Sequence, residues 1–122
     1  MTKVLVIEDD EVLRESILDI LKTRNFDVIG AEDGLRGLQL AQEFVPDLIL
    51  CDVRMPKLDG YEVLQAIRQD PKTAAIPLIF LTAETIQNVV GKGQSLGANG
   101  YLIKPFSTAE LLEAINQGQR DR

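Results

Sequence analysis

Histidine and tryptophan are absent from the chain, and Cys51 is its single cysteine. Without histidine the chain cannot supply an imidazole as a general base, a phosphoryl carrier or a metal ligand. One cysteine cannot form an internal disulfide bond, which is typical of a protein in a reducing compartment. We interpret Cys51 as a small buried hydrophobic side chain rather than a reactive thiol.

Long apolar runs and basic clusters are also missing. The longest apolar runs have the length of a strand, far below the roughly 20 residues that a membrane span needs. The chain enters its first apolar run within three residues of Met1, without a signal-peptide core. The formal net charge is −6, and the 13 lysines and arginines are scattered, which argues against a nucleic-acid surface. We therefore expect a cytoplasmic protein that binds neither membranes nor nucleic acid directly.

The 122 residues, 45% of them hydrophobic, suffice for one domain with one good core. We expect residues 1–122 to form that domain, with 119–122 as a terminal tail or the start of a linker. Five apolar runs alternate with five amphipathic segments at a repeat of roughly twenty to twenty-five residues. This alternation predicts an α/β, flavodoxin-like doubly wound fold, in which a five-stranded parallel sheet of order 2-1-3-4-5 carries helices on both faces.

The individual elements follow from the same pattern. The predicted strands are 3–7, 27–31, 48–52, 77–82 and 100–103, and the predicted helices are about 11–24, 35–44, 60–70, 85–96 and a last one that Ser107 or Thr108 caps. The predicted inner faces include Val12, Leu13, Ile17, Ile20 and Leu21 in the first helix and Leu35, Leu38, Leu40, Ala41 and Phe44 in the second. Gly91 and Gly93 predict that helix 85–96 is the least stable, although close backbone packing explains them equally well.

Four of the five predicted strands end in residues that can do chemistry. The first ends in Glu8, Asp9 and Asp10, the third in Asp52, the fourth in Thr82 and the fifth in Lys104. These four strands are consecutive neighbours in the predicted order, so their ends form one contiguous site at the carboxyl edge of the sheet.

Each of these residues has a plainer interpretation when it is taken alone. Asp10 with Glu11 can simply cap the first helix and complement its dipole. Thr82 can be an ordinary β-branched strand residue, and Lys104 a solvated charge. The coincidence of acids, hydroxyl and amine at adjacent strand ends favours a phosphoryl site instead.

Carboxylates that crowd together repel unless a cation neutralises them, and a few oxygen ligands with room for water suit Mg²⁺. We predict that Asp9 and Asp52 bind Mg²⁺ directly and that Glu8 acts through water. The Asp52 carboxylate is expected to attack a phosphoryl group and form an aspartyl phosphate, while Lys104 and the metal hold its oxygens. The Thr82 hydroxyl would donate to one of those oxygens.

Taken together, these motifs resemble the receiver domains of two-component response regulators, the CheY-like superfamily. The resemblance rests on residues 6–10, 52–56 with 59–60, 81–83 and 100–106, in order and at the family's spacing, and it covers essentially the whole chain. It implies that Asp52 is the phosphoacceptor and that a sensor histidine kinase or a histidine phosphotransfer protein is the donor. It also implies Mg²⁺ as the cofactor, with Mn²⁺ as a substitute, at Glu8, Asp9 and Asp52.

Further roles come only from the resemblance. The backbone carbonyl of Arg54 would complete the metal site, and the peptide bond between Lys104 and Pro105 would be cis, although most bonds before proline are trans. Positions 54 and 84 vary within the family and tune phosphate lifetime. We expect Arg54 and Glu84 to pair and to screen the phosphate from water.

The resemblance also assigns a switch. A phosphoryl group on Asp52 would draw Thr82 inward, and the ring of Tyr101 would turn from solvent to the interior. This change would bias the surface formed by the predicted helix 85–96, the fifth strand and the last helix. That surface would control a downstream protein or a fused output domain, or form a phosphorylation-dependent homodimer.

The predicted function is therefore a phosphorylation-activated signalling switch that catalyses only its own phosphorylation and dephosphorylation. A haloacid-dehalogenase-type phosphatase would need a second acid where Arg54 stands, and a flavodoxin would need a Ser/Thr/Gly-rich phosphate loop at residues 8–10. The alternative from another class is a receiver-like interaction module that acts without phosphorylation. Such modules usually lack the equivalent of Asp52 or Lys104, and both are present here.

Overall fold

The structure is a computed structural model that describes residues 1–83 and 97–120, and these contain five strands and four helices. The elements in chain order are β1 (Lys3–Ile7), α1 (Glu11–Thr23), β2 (Asp27–Ala31), α2 (Gly34–Phe44), β3 (Leu48–Asp52), α3 (Gly60–Gln69), β4 (Leu78–Thr82), β5 (Gly100–Ile103) and α4 (Thr108–Arg120). The predicted helix 85–96, with Gly91 and Gly93, lies outside the described residues, as does Glu84. None of the helices in the described part is long and apolar enough to cross a membrane.

The five strands form one parallel sheet in the order β2-β1-β3-β4-β5, which confirms the predicted topology. The register sets the strand ends level with one another. Ile7 pairs with Cys51, so the residues that follow them, Glu8 and Asp52, lie side by side at the carboxyl edge of the sheet. Thr82 pairs with Ile103, which brings Lys104 to the same edge.

Two hydrophobic layers cover the sheet, one on each face. Alternate strand residues, among them Ile7, Ile49 and Phe80, join α2 and α3 in one buried cluster. The intervening residues, among them Val6 and Leu50, join α1 and α4 in the other. Because both faces are covered, the strands need apolar side chains at almost every position, which explains their continuous apolar runs in the sequence.

Each helix in the described part begins at a polar capping side chain. The N-cap residues of α1, α2 and α3 are Asp10, Asp33 and Asp59, and each accepts a hydrogen bond from a backbone N–H three residues later. For α4 the Ser107 Oγ accepts from the Glu110 N–H at 3.1 Å, while the Glu110 carboxylate accepts from the Ser107 N–H at 3.0 Å. Asp10 is therefore a helix cap, and Ser107 rather than Thr108 caps the last helix.

Two residues predicted for the inner helix faces are exposed. Val12 is 81% and Leu35 is 58% accessible. At 3.6 residues per turn, Val12 lies about 180° around the helix from Leu21, which is fully buried. Leu35 is rotated by about 120° from the buried Ala41. Both predictions were wrong because an apolar residue near a helix end was taken for part of the inner face.

Candidate functional site

Three carboxylates meet where β1 and β3 end. Oxygen atoms of Glu8, Asp9 and Asp52 all lie within 4.8 Å of one another. Glu8 is completely buried and Asp52 is only 6% accessible, whereas Asp9 is exposed. The cluster is therefore enclosed on the side of the sheet and reached by solvent from the side of Asp9.

Within residues 1–83 and 97–120, one amine pairs with these carboxylates. Lys104 Nζ lies 2.8 Å from Glu8 Oε1 and 3.2 Å from Asp52 Oδ2, so it pairs with both buried acids. The lysine is held at its backbone because its N–H donates to the Thr82 carbonyl oxygen at 2.8 Å, one step beyond the β4–β5 ladder. The next peptide bond, between Lys104 and Pro105, is cis, the isomer that the resemblance implies.

The charges at this site are incompletely balanced. Burial raises the pKa of Glu8, a hydrogen bond with Asp52 raises it further, and the contact with Lys104 offsets part of this. Burial and the neighbouring Glu8 carboxylate raise the pKa of Asp9. Burial acts to lower the pKa of Lys104, but its contacts with Glu8 and Asp52 outweigh burial, so the pKa of the amine is raised. Three acids and one amine leave an excess of negative charge that a cation would neutralise.

The donor set fits the metal that the family implies. Three carboxylates offer hard oxygen ligands, and the exposed side of the cluster leaves room for water, which Mg²⁺ usually retains when it binds to a protein. Arg54 is exposed in the loop after β3, two residues beyond Asp52. The role of its backbone carbonyl stays a prediction, and so does its pairing with Glu84.

The two predicted switch residues lie on neighbouring strands. Thr82 is buried at the end of β4, and Tyr101 is half-buried on β5. The Tyr101 ring centroid lies 6.1 Å from that of Phe80, which lies 5.3 Å from that of Tyr61. Burial raises the pKa of Tyr101, and Tyr61 adds to this shift. A row of three aromatic rings thus joins α3, β4 and β5.

Two contributors to the site were not predicted from the sequence. Arg14 of α1 donates from Nη1 to the backbone carbonyl of Glu8 at 2.8 Å. Gly60 lets α3 begin against the end of β3, because a Cβ there would lie 2.4 Å from the Asp52 carbonyl oxygen. The glycine next to Asp59 was a usable signal for close packing, but nothing local in the sequence pairs Arg14 with Glu8.

Several known proteins are similar to this chain in sequence. The model of the response regulator receiver domain family matches residues 4–116. The DNA-binding dual master transcriptional regulator RpaA of Synechocystis is 40% identical over 116 residues, which are 94% of this chain and 48% of RpaA. The transcriptional regulatory protein CpxR of Escherichia coli is 40% identical over 115 residues, which are 94% of this chain and 48% of CpxR. The chain thus spans about half the length of these curated relatives.

Solved structures show the same fold over most of the chain. The chemotaxis protein CheY4 of Vibrio cholerae superposes with a TM-score of 0.92 at 33% identity, covering 96% of this chain and 98% of CheY4. A response regulator receiver domain protein from Clostridium thermocellum superposes with a TM-score of 0.90 at 28% identity, covering 99% of this chain and 96% of that one. The similarity therefore extends through every described element.

Proposed function

The chain belongs to the response regulator receiver domain family, and from this premise we propose that it is a phosphorylation-activated switch of a two-component system. The phosphoryl group is received by Asp52. The observation that carries this proposal is the meeting of Asp52 with Glu8, Asp9 and Lys104 at one sheet edge. A residue that only stabilised the fold would not need to be buried beside two further acids.

The proposed reaction transfers a phosphoryl group from a phosphohistidine of a sensor kinase or a phosphotransfer protein. A carboxylate oxygen of Asp52 bonds to phosphorus while the phosphorus–nitrogen bond breaks, and the histidine nitrogen keeps that electron pair. Lys104 Nζ, already 3.2 Å from Asp52 Oδ2, moves onto a phosphoryl oxygen, and the Thr82 hydroxyl donates to another. Bound Mg²⁺ or Mn²⁺ would supply further neutralisation of the phosphoryl charge.

The residues of the acidic cluster have separate tasks in this proposal. Asp9 and Asp52 would hold Mg²⁺, with Glu8 acting through water and the Arg54 carbonyl completing the site. Because Lys104 also pairs with Glu8, the amine stays at the site when Asp52 changes from a carboxylate to an acyl phosphate. The lysine can then follow the new charge without being newly ordered.

A groove beside the site offers a place for the donor. It has a volume of about 520 Å³ and lies between α1 and the start of α4, and its lining includes the apolar Leu13, Ile17 and Phe106 together with Lys104. In our proposal the partner that carries the phosphohistidine docks along this groove. A mainly apolar lining with a few charged groups suits a partner that must be both held and oriented.

The output that we propose is a change in the surface of the domain. Residues 1–122 act as one receiver domain, with 119–122 as a tail or the start of a linker. The phosphorylated form changes the environment of Thr82 and Tyr101 and thereby the surface around β5 and α4, which controls a downstream protein, a fused output domain or a homodimer. RpaA and CpxR are named as transcriptional regulators, and each is about twice as long as its matched segment. In contrast, the match to CheY4 covers 98% of that protein's length.

Incubation with acetyl phosphate and Mg²⁺, followed by intact-mass measurement, tests the phosphoacceptor. We expect the native chain to gain the mass of one phosphoryl group, and EDTA to prevent the gain. Asp52→Asn should show none, while Asp59→Asn, a neighbouring change that preserves a helix-capping side chain, should behave like the native chain. Absence of a gain on the native chain, or an equal gain on Asp52→Asn, would contradict the proposal.

A further inference from the structure

Every hydrogen-bonding atom of Glu8 is engaged, and the contacts come from four parts of the chain. Its N–H donates to the Ala31 carbonyl at 3.0 Å. Its Oε1 accepts from Lys104 Nζ at 2.8 Å, and its Oε2 accepts from the Asp10 N–H at 3.2 Å. Its carbonyl oxygen accepts from Arg14 Nη1 at 2.8 Å. Among these partners, Arg14 is the one that comes from the body of α1.

The stem of Arg14 is itself fixed by its neighbours. It passes over Gly30 of β2, where a Cβ would lie 3.2 Å from Arg14 Cδ and 2.9 Å from Leu18 Cδ1. The missing side chain of Gly30 therefore leaves the space that the arginine stem occupies. Sheet and helix together aim the guanidinium at the carbonyl of Glu8.

We propose that Arg14 is a positioning residue for cation binding, an inference that rests on the proposed function. The Glu8 carbonyl lies at the point where the chain leaves β1, so a hydrogen bond there fixes the direction in which Glu8 and Asp9 project. Without this hydrogen bond, repulsion among the three carboxylates would move them apart. Binding of Mg²⁺ would then have to bring the carboxylates back together. A partner outside the ligand set thus contributes to affinity by holding the ligands in place.

The role is positional because of what the guanidinium contacts. Its hydrogen-bond acceptor at the site is a backbone carbonyl, not a carboxylate. Removing the guanidinium while keeping an unbranched apolar stem should therefore weaken cation binding, whereas removing a positive charge elsewhere on the surface should not. Arg36 on α2 provides that comparison, because it is exposed and its side chain donates to Gln39 on the same helix.

Calorimetric titration of the metal-free full chain with Mg²⁺ measures the effect directly. We expect Arg14→Met to weaken Mg²⁺ binding about tenfold, the size typical of lost outer-shell partners. Arg36→Met, which changes the net charge equally, should leave the affinity unchanged. Phosphorylation of Arg14→Met by acetyl phosphate should need more Mg²⁺ for half-maximal rate, but should reach the native rate at saturating Mg²⁺.

A second variant reaches the same contact from β2. Gly30→Ala keeps the guanidinium but displaces its stem, and we expect an affinity between those of Arg14→Met and the native chain. If circular dichroism shows that Arg14→Met is unfolded, the Mg²⁺ affinity of Gly30→Ala tests the proposal instead. Equal Mg²⁺ affinity of the native chain and both variants overturns this inference alone, whereas a native chain that neither binds Mg²⁺ nor takes up phosphate overturns the proposed function as well.

Discussion

The fold makes the ionised form of Glu8 unfavourable. It is completely buried next to Asp52, and it shares with that neighbour the one cationic contact that the described part of the chain gives it, Lys104 Nζ. One shared amine cannot fully compensate two buried carboxylates, since removing each from water is costly. The raised pKa of Glu8 is the consequence. In the absence of metal this residue should therefore make the stability of the protein depend on pH in an unusual direction.

We expect Glu8 to favour folding of the metal-free protein as the pH falls from 7. Because its pKa in the folded chain is raised, the folded state takes up a proton before the unfolded state does. The resulting stabilisation is complete below the unfolded pKa, about 4.3 for glutamate, and is lost as the pH rises through the folded pKa. Asp9, whose pKa is also raised, acts in the same direction. Urea unfolding in EDTA at a series of pH values measures this dependence.

Glu8→Gln should make the pH profile of unfolding flatter, because the neutral amide cannot titrate. Glu15→Gln, on an exposed position of α1, is the matched control and should keep the native profile. Saturating Mg²⁺ should also suppress the dependence, since the cation favours ionised carboxylates. Identical profiles for Glu8→Gln and the native chain would show that Glu8 does not titrate as we infer.

Among the elements, α3 is tied to the sheet at both ends. At its start Gly60 approaches the Asp52 carbonyl, and its N–H donates to the Val53 carbonyl at 2.8 Å. Near its end, the Arg68 guanidinium donates to carbonyl oxygens of two segments that flank β4 and β5. Its acceptors are Ala74 O at 3.2 Å, Ile76 O at 2.7 Å, Gly97 O at 2.9 Å and Asn99 Oδ1 at 2.8 Å. Burial lowers the pKa of Arg68.

Arg68→Met should destabilise the protein by about 2–3 kcal/mol, because it removes charge-assisted hydrogen bonds and leaves partly buried carbonyls without that donor. The free energy of unfolding from a urea titration measures the change. Arg36→Met removes an exposed arginine whose side chain donates to Gln39 on the same helix, and it should cost no more than about 0.5 kcal/mol. Equal losses for the two variants would mean that the contacts around Arg68 contribute no more than an ordinary surface arginine.

These elements also show what sequence patterns can predict and what they cannot. Strands 3–7 and 48–52 carry apolar runs that end in acids, so their position and their chemistry could both be predicted from local sequence. The contact of Arg68 with Asn99 spans 31 residues, and a long side chain reaches partners that no periodicity encodes. The hydrogen bond from Arg14 to Glu8 could not be predicted for the same reason, because it too is made by a long side chain. The exposure of Val12 escaped prediction because apolar residues are tolerated singly on a surface.

At the scale of the whole molecule, a row of three aromatic rings runs from α3 through β4 to β5. Tyr61, Phe80 and Tyr101 lie in α3, β4 and β5, and Thr82 lies two residues beyond Phe80 on the same strand. A displacement of Thr82 toward a phosphoryl group would therefore occur next to the half-buried Tyr101 ring. Two discrete arrangements of these side chains could bias a surface remote from Asp52, since a packed core changes between states rather than deforming gradually.

The composition of the chain makes this coupling measurable. It contains two tyrosines and no tryptophan, so replacement of tyrosine by fluorotyrosine gives two fluorine NMR signals, assigned with Tyr101→Phe. We expect acetyl phosphate with Mg²⁺ to shift the Tyr101 signal strongly and that of Tyr61, only 5% accessible, much less. Thr82→Ala should still gain a phosphoryl group by intact mass but lose most of the Tyr101 shift, because the hydroxyl that follows the phosphoryl oxygens is missing. A full Tyr101 shift in phosphorylated Thr82→Ala would rule out Thr82 as the link, and an unchanged Tyr101 signal in fully phosphorylated native chain would rule out the switch.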